Sequence, residues 1–279
     1  MEEGLSYCAD EVRQHDPDRF LTVLFVPPAR REALFALYAF NIEVAKTREV
    51  VSEPMLGEIR LQWWREAIEG AYAGTPRRHA VVEPLSEAIR TKSLTRDHFD
   101  RLIDARAFDL GEEPPDTLSS LVDYAEGTSS TLVWLVMEAL GATGATCHVG
   151  RDVGIAWALT GLLRALPYHL RAKRIYLPTD AIERHGVAMR DLTELRGTDA
   201  IRATVGEVAA EARNRLQTAR RMRATVPRQA LPALLIASLA DIYLRKLDAV
   251  GYDPFDPRLT APVPFKGVRL WGKSLFGRY

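Results

Sequence analysis

Two cysteines in 279 residues, Cys8 and Cys147, are too few and too far apart to staple a fold or build a zinc site. That fits a reducing compartment, with both thiols acting as small apolar side chains. Charge of one sign is missing too: 37 lysines and arginines balance 37 acids, so no overall basic field attracts nucleic acid. No run approaches the roughly 20 apolar residues of a membrane span. The best, from Ala230 to Ala240, is interrupted by Pro232. The acidic start, Met1 to Ser6, lacks the basic and apolar regions of a leader, so a bacterial cytoplasm is expected. Phosphate-cradling glycine loops, nucleophile elbows and dinucleotide fingerprints are absent as well.

What remains is an ordinary globular composition, 47% hydrophobic and 27% charged, enough for a large core. Helical periodicity dominates and no alternation is long enough for a sheet, which predicts an all-α chain. Helices are expected over 6–14, 29–52, 55–72, 82–91, 96–109, 118–140, 150–171, 201–225 and 228–250, with a break at Asp16-Pro17-Asp18 and loops at 111–116 and 141–146. Residues 1–253 read as one helical domain. Residues 254–279 form an arm with Pro254, Pro257, Pro262 and Pro264, then a basic, aromatic tail without an acid. Two readings of the tail stand open: a peripheral membrane contact through Phe265 to Tyr279, or a segment packed on its own domain.

The most informative stretch runs from Gly154 to His169 and on through Arg174, Tyr176 and Pro178. It resembles the second active-site helix of the squalene/phytoene synthase family, G-x-A-x-Q-L-x-N-I-L-R-D-x-x-x-D followed by R-x-Y-L-P. On that pattern Ala158 replaces the glutamine, Gly161 the asparagine, and Ala165 and His169 the two aspartates. The segment from Phe35 to Asn41 resembles the first active-site helix, where Ala45 and Glu49 take the aspartate positions. Tyr124 to Ser130 and Gln62 to Arg65 resemble two further family segments. The resemblance implies an isoprenoid-synthase-like helical bundle around a central cavity.

Enzymes of that family ionise a prenyl diphosphate, and the anionic leaving group needs Mg²⁺, a hard cation held by carboxylates, water and phosphates. Aspartates four residues apart share one helix face and face a second such pair. Neither pair is present here. The substitutions at Leu163 to His169, together with Asn41, Glu43, His185, Pro227 and Pro232, resemble a non-catalytic branch that includes a mitochondrial complex I assembly factor. That branch implies no catalytic residue and no cofactor. It further implies a complex I subunit or assembly intermediate as partner, an isoprenoid or lipid ligand, and a cytoplasmic protein peripheral to the inner membrane. The alternatives are an active head-to-head prenyltransferase making phytoene or squalene with Mg²⁺, and a silent subunit supporting a complete paralogue.

Other residues offer less. The acid pairs Glu49/Glu53, Asp100/Asp104 and Glu207/Glu211 have helical spacing but read equally as solvated faces. His169 with Glu43 or Glu49 has donors for zinc or iron. Alternatively it is a hydrogen-bonded core histidine, and Pro167 is expected to bend the helix and displace it. Arg164, Arg171, Lys173 and Arg174 form a candidate anion-binding cluster, joined by Tyr38 and Tyr168, or else a solvated turn.

Overall fold

Prolines that look like interruptions in the sequence begin helices. In the computed structural model, which describes residues 4–51, 53–142 and 147–279, helix α1 (Tyr7–His15) is opened by Ser6, whose hydroxyl accepts from the Ala9 N–H. The Asp16 carboxylate then accepts from the Arg19 N–H, and Pro17 takes the first position of α2 (Pro17–Val23). A missing N–H costs nothing there and the fixed φ favours the helix, so the expected break is an N-cap. Pro28 and Pro54 likewise open α3 (Pro28–Ala45) and α5 (Pro54–Tyr72). The helix expected over 29–52 ends instead at Ala45, a short α4 (Thr47–Val50) follows, and Ser52 lies outside the described residues.

Helices α6 (Val82–Lys92) and α7 (Arg96–Ala105) come next. The expected 96–109 helix tightens after Ala105 into a 3₁₀ turn, Arg106–Leu110. A reciprocal Thr117/Ser120 capping box begins α8 (Leu118–Ala125), and a π-helical turn, Glu126–Ser130, joins it to α9 (Thr131–Ala139). The Thr128 and Thr131 hydroxyls donate to the Tyr124 and Gly127 carbonyls there, supporting the wider turn. Residues 143–146 of the expected loop at 141–146 lie outside the described residues, as does the Cys147 side chain.

The 25-residue α10 (Cys147–Arg171) runs through Pro167, as expected of a helix over 150–171. Helices α11 (Thr179–His185) and α12 (Met189–Thr193) are too short for periodicity to reveal, and Gly186 in a left-handed conformation (φ 69°) stops the first. Thr198 caps α13 (Asp199–Arg221). Pro232 divides the expected 228–250 helix into a 3₁₀ turn, α14 (Leu231–Leu234) and α15 (Ile236–Asp248). A last helix, α16 (Lys266–Leu275), lies in the tail. There is no strand among the described residues, and none of their helices is long and apolar enough to cross a membrane.

Helix α10 is the axis of the bundle, packed against α13, α15, α9 and the π turn. That approach requires Gly154: a Cβ there would stand 2.4 Å from Ser130 Cα, while Ser130 Oγ donates to the Arg151 carbonyl at 2.7 Å. On the far side, Phe40 meets Trp64 and Phe99 edge-on, each at 5.4 Å between ring centres. One apolar core takes in side chains from Cys8 to Tyr279, and Phe255, Leu259 and Val263 of the arm pack against it.

Candidate functional site

Of the positions at which the resemblance places acids, Glu49 is brought to the end of α10. Ala45 ends α3, Glu49 lies in α4, and Ala165 and His169 lie in the last two turns of α10. The Tyr168 hydroxyl faces Glu49, whose negative charge pushes the phenol pKa up, so α4 meets the end of α10. Glu43 is paired with Arg60 at 2.6 Å. Two methyl groups, one carboxylate and an imidazole are a poor set for Mg²⁺, which takes hard oxygen donors in near-octahedral array. The residues present do not fit that ion, and among the described residues no three His, Cys, Asp or Glu side chains converge on a metal position.

His169 is held by aromatic packing rather than by the hydrogen bond expected of a core histidine. Its ring centre lies 4.7 Å from that of Tyr176 and 5.7 Å from that of Tyr168. Burial pushes its pKa down from 6.5 to about 4; Arg174 works in the same direction and Asp109 opposes it. The imidazole is therefore neutral near pH 7.

Behind His169 lies a buried network that sequence reasoning missed. Asp109, at the end of the 3₁₀ turn, accepts from the Tyr124 and Tyr176 hydroxyls at 2.8 and 2.7 Å and from Arg106 at 3.1 Å. Arg174 donates to the Asp109 carbonyl oxygen. Partners up to 67 positions apart meet here, and no local spacing announces them. The Arg106 guanidinium is also 3.1 Å from the Tyr124 hydroxyl; although burial opposes its charge, the acidic neighbours prevail and its pKa is raised. A buried ionic cluster of this kind, in which only the Arg106 Nε–H is left without an acceptor, fixes the geometry of its surroundings.

Between α2, α3 and α10 the interior is filled at the level of Tyr38. Arg19, paired with Asp16 at 2.8 Å, inserts its guanidinium between the Tyr38 and Trp157 rings, 5.6 and 5.7 Å from their centres. Tyr38 is thus a packed residue, its phenol pushed up to about 12 by burial.

The basic cluster is divided. Arg174 serves Asp109, and Lys173 occupies a left-handed turn (φ 57°). Arg164 and Arg171 line a groove of about 750 Å³ between α10, α15 and residues 254–260, with Lys246 on its opposite wall. Leu163, Leu247 and Phe255 supply apolar wall. Arg164 has an internal partner: it stacks on Tyr243, 3.5 Å from the ring centre, and lies 3.5 Å from Asp18. Asp18 also accepts from Tyr243 and from Lys266, each at 2.6 Å, tying α2, α15 and α16 together. The remaining acid pairs are engaged in ion pairs: Asp100 with Arg96, Asp104 with Arg65, Glu207 with Arg184 and His185, and Glu211 with Arg215.

Comparison with known proteins agrees with this architecture. The family model for squalene/phytoene synthase matches residues 12–266. The protein from Bos taurus named NADH dehydrogenase (ubiquinone) complex I, assembly factor 6 is 33% identical over 278 residues, covering 98% of this chain and 82% of its own length. The 15-cis-phytoene synthase of Synechocystis is 26% identical over 287 residues, covering 97% and 84%. The crystal structure of squalene synthase HpnC from Alicyclobacillus acidocaldarius superposes with a TM-score of 0.79 at 24% identity, covering 88% of this chain and 94% of that one, a likeness of fold. With the sequence matched over most of its length and the all-helical bundle matched in space, the chain belongs to the squalene/phytoene synthase family.

Proposed function

We propose that this chain is a non-catalytic member of the family that acts as an assembly factor for respiratory complex I, on the cytoplasmic face of the inner membrane of a bacterium. The observation that carries the first half is what stands at the family's acid positions: Ala45 at the end of α3, Glu49 in α4, and Ala165 and a neutral, ring-packed His169 in α10. A reaction driven by stabilising an anionic leaving group loses orders of magnitude with each lost electrostatic contact. The second half is supported by the likeness to the bovine assembly factor over 98% of the chain.

A bundle without the paired carboxylates that Mg²⁺ needs suits holding a partner chain in place better than chemistry. Deleting the gene and measuring NADH:quinone oxidoreductase activity tests this. Loss of activity restored by the wild-type chain is expected, and unchanged complex I levels would refute the reading.

A further inference from the structure

Helix α16 turns apolar side chains to both sides. One face, through Leu270, is fully buried on the domain, as a surface helix requires. The other should be polar and is not: Val268, Trp271 and Leu275 are each more than 60% exposed, and Phe265 and Phe276 at its ends are 77% and 70% exposed. At 100° per residue these five fall on one outward arc. Contiguous apolar surface of this kind marks an interaction site.

Cations border that arc. Arg269, Lys273 and Arg278 line a groove of about 440 Å³ between α15 and α16, with Arg245 on the opposite wall. No carboxylate of the described residues pairs with these four. The acid in the groove, Asp241, is taken by Arg220 at 2.5 Å. The Ser238 hydroxyl, on the α15 wall and 4% exposed, has no hydrogen-bond partner. From Pro257 to Tyr279 there are five cations and no acid, so the rest of this neutral chain carries an excess of five acids.

We propose that the outward arc of α16 and the basic groove beside it form a docking surface for an anionic lipid bilayer. Trp271, Leu275 and Phe276 enter the acyl boundary, and Arg245, Arg269, Lys273 and Arg278 take the lipid phosphates. Charge chooses the lipid over a second copy of this chain, because two such surfaces repel, and the acidic remainder of the molecule orients the helix toward the membrane. The inference rests on the membrane placement in the assembly reading and fails separately: vesicle binding can be absent while complex I still depends on the chain.

Co-sedimentation of the full chain with phosphatidylcholine vesicles, with and without phosphatidylglycerol, reads it out. Each surface cation adds roughly five-fold, so the four together predict a preference of up to roughly 600-fold for the anionic vesicles. High salt should abolish it. Trp271→Ser should cut binding by at least about ten-fold, with its thermal midpoint unchanged because the ring is exposed. A paired Arg269→Glu and Lys273→Glu variant should remove the anionic preference, while Phe276→Ser repeats the apolar test at a second position. Equal binding to both vesicles, saturable binding of glycerol phosphate without vesicle binding, or dimerisation through Trp271 would each overturn the proposal.

Discussion

The depressed pKa of His169 makes a prediction about pH that can be worked through with its sign. The folded group protonates at about 4, whereas the unfolded chain protonates near 6.5. Between those values the unfolded state binds more protons, so stability falls as pH drops from 6.5 towards 4, is fully present above 6.5 and falls no further from this group below 4. The greatest loss from His169 is roughly 3 kcal/mol, a substantial part of the stability of an ordinary domain. Replacing it by phenylalanine keeps a ring against Tyr176 and removes the proton. Urea unfolding of wild type and His169→Phe at several pH values isolates the effect, because carboxylates held low by partners, such as Glu126 and Glu207, titrate alike in both. The wild type should lose up to about 3 kcal/mol more than the variant on acidification. Parallel curves would refute the half-buried, ring-packed histidine.

Asp109→Ala should destabilise by about 3–5 kcal/mol, since it leaves the buried Arg106 charge and two tyrosine hydroxyls without their acceptor; chemical denaturation measures it. Asp109→Asn, which keeps an acceptor for the tyrosines, should cost less. Gly154→Ala should cost about 1–3 kcal/mol because the new methyl meets the backbone of Ser130, with the loss read as a lowered thermal midpoint. Gly161→Ala meets nothing within 4 Å and should stabilise by up to about 1 kcal/mol through helix propensity.

The fold was legible in the sequence because α3, α5, α10 and α13 are long, and because the Gly154 to Pro178 pattern carries a family likeness. Boundaries failed where proline was read as a stop. Pro17 and Pro54 are starts, because a missing N–H costs nothing in the first turn of a helix. Ala45, Glu49, Ala165 and His169 were located by resemblance to the family's two active-site helices, and the structure brings Glu49 to Tyr168 beside the end of α10. Asp109 was invisible, since its partners Arg106, Tyr124, Arg174 and Tyr176 come from three separate segments. The internal partner of Arg164 was equally hidden, because Asp18 lies 146 positions away. The tail divided the two readings offered for it: Leu270 and Tyr279 pack on the domain while Trp271 and Phe276 face outward.

The central claim is that a synthase fold persists here without synthase chemistry. The most direct measurement is release of pyrophosphate from farnesyl or geranylgeranyl diphosphate by the purified chain with Mg²⁺. The account predicts no release above the protein-free control and no squalene or phytoene formed. Sustained turnover to either product would contradict it.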